Sequence, residues 1–193
     1  MNDEARQVLG TTAIAITGQL SAGKSTLLRQ LAERHGWSTI SFGEYVRSVA
    51  KERSLSVDRK SLQDIGHEIF RSLGAKVFLD TVIAHARPLS NVRLFDGVRD
   101  AGIVSAVRQG HSKTVIIYID VPDLTRYERH LQRMNLNCAA FTFSDFMELS
   151  DHPIEQGTRE LPRTADEVIR VTGEPVAEVV YDIERRLTRR AIL

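Results

Sequence analysis

The sequence is poor in the residues that mark several large classes of protein. It has a single cysteine, Cys138, so a framework of disulfide bonds is excluded. The formal net charge is only +1, which provides no overall field to attract nucleic acid or a membrane surface. The sequence also lacks both an apolar run of bilayer-spanning length and a basic, then apolar, secretory segment at its start. We therefore expect a cytoplasmic monomer or homodimer that binds neither nucleic acid nor membrane.

Residues 13–28 carry the strongest signal that the sequence does contain. An apolar run suited to a buried parallel strand is followed by GQLSAGKS at residues 18–25 and then by a helical pattern. These eight residues, called the phosphate loop below, fit the spacing of glycine, four residues, glycine, lysine and serine. Gly18 and Gly23 let the backbone curl into an anion-binding nest, to which the helix adds its positive N-terminal end. The motif predicts binding of a nucleoside triphosphate.

The residue types at and near the phosphate loop predict a site for ATP and Mg²⁺. Lys24 offers a charge for the β- and γ-phosphates and Ser25 a hydroxyl for Mg²⁺. The apolar residues 91–95 predict a strand that delivers Asp96 to the same edge of the sheet, as a second Mg²⁺-organising residue. A carboxylate at a strand end can instead cap the next helix, and this alternative stays open. The loop residues predicted to contact ATP are Gly18, Ser21, Ala22, Gly23, Lys24, Ser25 and Thr26.

Strand patterns alternate with helix patterns along the whole chain. The predicted strands are residues 13–17, 37–41, 91–95, 114–119 and 167–171. The alternation predicts an α/β fold, a P-loop NTPase three-layer sandwich whose five-stranded parallel sheet has helices on both faces. Three helical patterns in succession, the second capped by Asp58, are too many for a plain crossover between strands. We predict one P-loop kinase domain over 1–193, with a helical acceptor-binding insertion over about 42–88.

The residues over about 134–157 have the least regular pattern, which is typical of a functional lid. In the helix predicted just before them, the spacing places Leu124 inward and Arg126 on the solvent face. Three aromatic residues of the lid either pack it against the body of the protein or form an apolar floor for a base. They are Phe141, Phe143 and Phe146.

Taken together, these motifs resemble the nucleoside monophosphate kinases, adenylate kinase above all, and the related dephospho-CoA kinases. Besides the phosphate loop, the matching residues are SFGEYVR at 41–47, DGVR at 96–99, IDVPD at 119–123 and VTGEPVAEV at 171–179. The resemblance implies that Gly43, Arg47, Gly97 and Arg99 bind the acceptor. It also implies that Arg129 contacts ATP and that Arg129 and Arg133 act in catalysis with Lys24 and Asp96. The lid has no arginine, so its charge-stabilising role would pass to Arg159 or Arg163.

The function that follows from the motifs and the resemblance is ATP-dependent phosphoryl transfer, with Mg²⁺, to a small-molecule nucleotide acceptor. A nucleoside or deoxynucleoside monophosphate-like molecule is the expected acceptor. Dephospho-CoA kinase is one alternative, in which the acceptor is a ribose hydroxyl. A regulatory nucleotide-binding switch is another, and it would need the phosphate loop without the acceptor arginines.

Overall fold

A five-stranded parallel sheet forms the centre of the chain in the computed structural model, which describes residues 10–86 and 89–193. All neighbouring strands are parallel, in the order β2-β3-β1-β4-β5. The strands that follow β1 in the chain lie first on one side of it (β2 and β3) and then on the other (β4 and β5). This reversal opens a crevice at the carboxyl end of β1. The strands are β1 (Thr12–Thr17), β2 (Ser38–Ser41), β3 (Val92–Asp96), β4 (Lys113–Asp120) and β5 (Glu167–Arg170).

Helices cover both faces of this sheet, so the predicted three-layer α/β architecture is confirmed. Within the described ranges, no helix combines the length and the apolar character that crossing a bilayer requires. A short 3₁₀ turn at Leu161–Arg163 precedes β5. The helices are α1 (Lys24–His35), α2 (Phe42–Glu52), α3 (Arg59–His85), α4 (Ala101–Gln109), α5 (Asp123–Met134), α6 (Phe143–Ser150), α7 (Pro153–Glu160) and α8 (Val176–Arg189).

The side chains of β1 alternate between two buried faces. Ala13 and Ala15 pack into the core formed with α2, α3 and α4, whereas Ile14 and Ile16 pack into the core formed with α1 and α8. All four side chains are fully buried. Because both faces are covered, the strand reads as a continuous apolar run rather than as an apolar and polar alternation, which is why its position could be predicted.

The helical insertion consists of α2 and a long α3. At Gly74, φ is 72° and ψ is 168°, so α3 is two helical segments joined at a kink, as the two separate patterns in the sequence predict. Asp58 caps α3 and accepts a hydrogen bond from the backbone N–H of Ser61 at 3.0 Å, which confirms the predicted cap. The predicted end of this region at Arg87 and Pro88 lies outside the described residues. Acceptor binding by the insertion stays a prediction.

The prediction for Arg126 in α5 was wrong. Its side chain is 1% exposed, whereas Leu124, expected inside, is 60% exposed. The Arg126 guanidinium donates a hydrogen bond to the carbonyl oxygen of Leu20 at 3.0 Å and pairs with Asp123 at 2.5 Å. It also lies 5.3 Å from the centre of the Phe146 ring, a cation–π contact. Two hydrogen bonds from the terminal nitrogens and this ring compensate the buried charge, while Nε has no hydrogen-bond partner among the described residues. Apolar periodicity cannot detect such partners.

The segment over about 134–157 is more regular than the sequence indicates, because it contains α6 and most of α7. A capping box at Thr142 begins α6. Phe146 is fully buried, and the ring of Phe141 stacks on that of His130 with 5.1 Å between their centres. These contacts favour the first of the two alternatives for the aromatic residues, packing against the body of the protein. Movement of this segment as a lid stays a prediction.

Candidate active site

The phosphate loop has the backbone geometry that its glycines were expected to provide. Gly18 has a φ of +147°, and a Cβ atom there would lie 2.6 Å from the carbonyl oxygen of Ile119. Gly23 has a φ of +90° immediately before α1, and Ser21 also has a positive φ of 62°. No side chain among the described residues caps α1, which leaves its first amide groups to an anion.

Lys24 begins α1 and projects toward the carboxyl edge of the sheet. Its ammonium group donates a hydrogen bond to the carbonyl oxygen of Gln19 at 2.8 Å. Burial lowers the pKa of Lys24 to about 8, although the negative charges of Glu155 and Asp96 act to raise it. The lysine is therefore mostly charged at neutral pH and has few protein partners to compete with a phosphate.

Ser25 and Asp96 meet although 71 residues separate them. The Ser25 hydroxyl donates to the Asp96 carboxylate at 2.8 Å. These oxygens fit Mg²⁺, which prefers oxygen ligands and takes the rest from phosphates and water. Among the described residues, no group of three or more His, Cys, Asp or Glu side chains could hold a metal by itself. The helix after β3 is capped by Asp100, whose carboxylate accepts from two amides of α4, so the capping alternative for Asp96 was wrong.

A cavity of about 570 Å³, called the loop cavity below, opens beside the phosphate loop. Arg129 and Arg133 of α5 form one wall, and Arg129 donates a hydrogen bond to the carbonyl oxygen of Ala22 at 3.3 Å. Residues from the segment 171–179 form another wall. Gly18 lies outside this lining. The predicted ATP-binding residues that the structure brings to the cavity are Ser21, Ala22, Gly23, Lys24, Ser25, Thr26 and Arg129.

A second cavity of about 320 Å³, called the arginine cavity below, lies between the helical insertion and α7. All four residues predicted to bind the acceptor line it: Gly43, Arg47, Gly97 and Arg99. A third arginine, Arg59 at the start of α3, lines it too and was not predicted. The rest of its wall is largely apolar and includes Phe42, Val46, Leu62, Phe70, Phe78 and Ile103.

Glu155 on α7 is the main charged residue that sequence reasoning missed. Its Oε1 atom accepts hydrogen bonds from Arg59 at 2.5 Å and from Gln63 at 3.2 Å, and the Arg99 guanidinium lies 3.3 Å away. The side chain is 3% exposed. Burial acts to raise the pKa of this carboxyl group, but the charges of Arg99, Arg59 and Lys24 outweigh it and lower the pKa to about 2. Glu155 is thus a buried anion between cations of both cavities.

Close backbone packing fixes the loop that carries Arg99. Thr17, at the end of β1, donates a hydrogen bond to the carbonyl oxygen of Val98 at 2.7 Å. From the other side, α7 approaches so closely that a Cβ atom at Gly157 would lie 2.6 Å from the carbonyl oxygen of Arg99. The end of β1 and α7 therefore hold the Arg99 loop in place from two sides.

The missed residues differ in the signals that they left in the sequence. Arg59 directly follows the cap of α3, where a cation faces the positive end of the helix dipole, and this unfavourable placement was a usable signal. Glu155 is in the first turn of α7, where acidic residues are common, so it left none. The structure gives no support to the suggestion for Arg159 and Arg163. Each is paired on the surface, with Asp151 and Glu160 respectively, and neither contributes to the described lining of either cavity.

The comparison with known families decides what kind of protein has this geometry. Residues 14–138, which run from β1 past α5, match the family described as AAA domain, AAA_18. The chain belongs to this P-loop kinase-like family. The resemblance to nucleoside monophosphate kinase-like proteins is thereby confirmed.

Individual relatives match most of the chain at 25–31% identity. A UPF0200 protein of Pyrobaculum aerophilum is 25% identical over 174 residues, which are 90% of this chain and 95% of the relative. A cytidylate kinase of Methanosarcina mazei is 31% identical over 123 residues, or 62% of each protein.

Solved structures show that this chain shares its fold with small-molecule kinases. A gluconokinase from Sinorhizobium meliloti has a TM-score of 0.57 at 15% identity and covers 94% of both chains. A shikimate kinase from Acinetobacter baumannii, in complex with shikimate, has a TM-score of 0.58 at 14% identity and covers 98% of this chain and 99% of its own. At this identity the similarity establishes the fold alone.

Proposed function

We propose that this protein transfers a phosphoryl group from Mg·ATP to a nucleoside or deoxynucleoside monophosphate. One observation carries the proposal: three arginines, Arg47, Arg59 and Arg99, line a cavity next to a phosphate loop. Guanidinium groups match the geometry and the charge of a phosphate, so the arginine cavity is suited to a second phosphate group beside the one at the loop. A regulatory nucleotide switch has no use for this second set of cations.

In the proposed reaction the protein chiefly positions charge. Lys24 and the loop amides hold the donor phosphates, and the three arginines of the arginine cavity orient the acceptor phosphate for in-line attack. Arg129 and Arg133 neutralise charge on the group in transfer. Ser25 and Asp96 would hold Mg²⁺, which supplies further neutralisation when bound. The apolar wall of the arginine cavity suits the base of a nucleotide.

The charged groups around the site favour a phosphate acceptor over a hydroxyl acceptor. A hydroxyl loses its proton on transfer and is helped by a free carboxylate that can accept it, whereas a phosphate oxygen is already ionised at neutral pH. The Glu155 carboxylate is held by Arg59, Arg99 and Gln63 and does not line the arginine cavity. Asp96 is engaged by Ser25. This reasoning ranks nucleoside monophosphates above dephospho-CoA.

The acceptor panel for the test follows from these arguments. Because one relative is a cytidylate kinase, CMP and dCMP come first, followed by the other ribo- and deoxynucleoside monophosphates. Dephospho-CoA, shikimate and gluconate represent hydroxyl acceptors. Each is incubated with Mg·ATP, and the products are separated by chromatography.

We expect a nucleoside diphosphate from one or two monophosphates. Arg47→Ala should raise the KM for that acceptor at least tenfold, because it removes a charge-assisted contact. Arg163→Ala, which removes an arginine that is 80% exposed, serves as the matched control and should leave the KM unchanged. Full activity of Arg47→Ala, or transfer to a hydroxyl acceptor alone, would contradict the proposal.

A further inference from the structure

Glu155 is a buried charge that no step of the proposed transfer uses. Its Oε1 atom receives the contacts from Arg59, Arg99 and Gln63, and its Oε2 atom has no hydrogen-bond partner in the described part of the chain. A buried carboxylate is costly unless its surroundings compensate for the lost hydration. The presence of a charged carboxylate at this buried position therefore calls for an explanation.

The two arginines that share Glu155 come from different parts of the chain. Arg59 starts α3 and Arg99 follows β3, yet both guanidinium groups lie within 3.3 Å of one carboxylate oxygen. Two positive charges that share one carboxylate oxygen lie close together, and they repel one another strongly when they are partly removed from water. Burial and the charge of Arg99 lower the pKa of Arg59 to about 10, which reflects this strain. A carboxylate between the two groups offsets their repulsion.

We propose that Glu155 is a positioning residue that holds Arg59 and Arg99 together as a preassembled clamp for the acceptor's phosphate. The inference rests on the proposed function, since it assigns the clamp to the same arginine cavity. Glu155 itself does not line that cavity, whereas both arginines and Gln63 do. It therefore acts through its partners, and α7 carries the residue that orders the far wall of the acceptor site.

Binding measured without turnover tests this role. Isothermal titration uses two probes, CMP and inorganic phosphate, on protein whose loop cavity is filled with a non-hydrolysable ATP analogue and Mg²⁺. Glu155→Gln should weaken the binding of both probes about tenfold or more, because the clamp loses its central charge. The affinity for the ATP analogue should change by no more than about twofold. Glu155→Asp keeps the charge and should recover part of the loss.

The controls separate positioning from general damage. Glu160 is on the same helix, but its side chain is 64% exposed and pairs only with Arg163 on the surface. The Glu160→Gln variant should therefore bind both probes as the unchanged protein does. If Glu155 acts through the clamp, the double variant Arg59→Gln/Glu155→Gln should bind the probes no more than about threefold more weakly than the single variant Arg59→Gln. Fully additive losses would contradict the inference.

Each remaining outcome decides against the inference or against the proposed function. Unchanged probe binding by both Glu155 variants overturns the positioning role. Tighter binding also overturns it, because Glu155 would then be occupying the phosphate position as a latch. If the unchanged protein binds phosphate but no nucleoside monophosphate, the proposed function fails while phosphate still tests the clamp. If it binds neither probe, the inference is overturned as well.

Discussion

Replacement of Lys24 by methionine should stabilise the ligand-free protein. Burial lowers the pKa of this lysine from 10.5 to about 8, so between these pH values the unfolded chain binds more protons than the folded one. The folded protein therefore gains stability as the pH rises from about 8 to 10.5, and below 8 it bears the full cost of the buried charge. At about 1.4 kcal/mol per pH unit, this interval corresponds to at most about 3 kcal/mol, because the residue is only partly buried. Methionine has a similar length and no charge, so it escapes this cost.

Urea unfolding at several values between pH 7 and pH 10 measures the effect. We expect Lys24→Met to be more stable than the unchanged protein by about 1–3 kcal/mol at pH 7, with a difference that shrinks above pH 8. Lys51→Met, at an exposed position on α2, is the matched control and should show no such pH dependence. Equal or lower stability of Lys24→Met at pH 7, or a gap that is constant with pH, would refute the reasoning.

Three further substitutions test other contacts of the site. Asp96→Asn should lower kcat about 100-fold and raise the Mg²⁺ concentration needed for half-maximal rate; an unaltered Mg²⁺ dependence would exclude Asp96 from metal binding. Gly18→Ala should destabilise the protein far more than Gly36→Ala in urea, because Gly36 has a positive φ but no close neighbour and costs only about 1 kcal/mol. Arg126→Met should cost about 1–3 kcal/mol by leaving a phosphate-loop carbonyl without its donor. A cost below about 0.5 kcal/mol would show that this buried arginine does not support the loop.

The sheet and the phosphate loop could be predicted because their signals are local. A parallel strand buried on both faces reads as an unbroken apolar run, and the prediction of residues 114–119 differs from the observed β4 by one residue at each end. The loop motif likewise specifies where the backbone needs a positive φ, and Gly18 and Gly23 both have one.

The charged interior of the site could not be predicted because its partners are distant in sequence. Arg126 reaches a carbonyl group 106 positions away, and Glu155 reaches Arg59 across 96 positions. In a local pattern both residues read as ordinary solvated charges on helices. Only the folded chain shows that they are buried and compensated. Arg47 and Arg99 were found because short motifs at strand ends marked them, whereas Arg59 was marked only by the unfavourable place of a cation at the start of a helix.

The ratio of phosphorylated acceptor to ADP tests the central claim most directly. The protein is incubated with Mg·ATP and the best acceptor of the panel, and ³¹P NMR follows both products over time. Phosphoryl transfer between the loop cavity and the arginine cavity predicts one nucleoside diphosphate for each ADP, with little inorganic phosphate. ADP and inorganic phosphate in equal amounts, without a phosphorylated acceptor, would contradict the account and favour a nucleotide-hydrolysing switch.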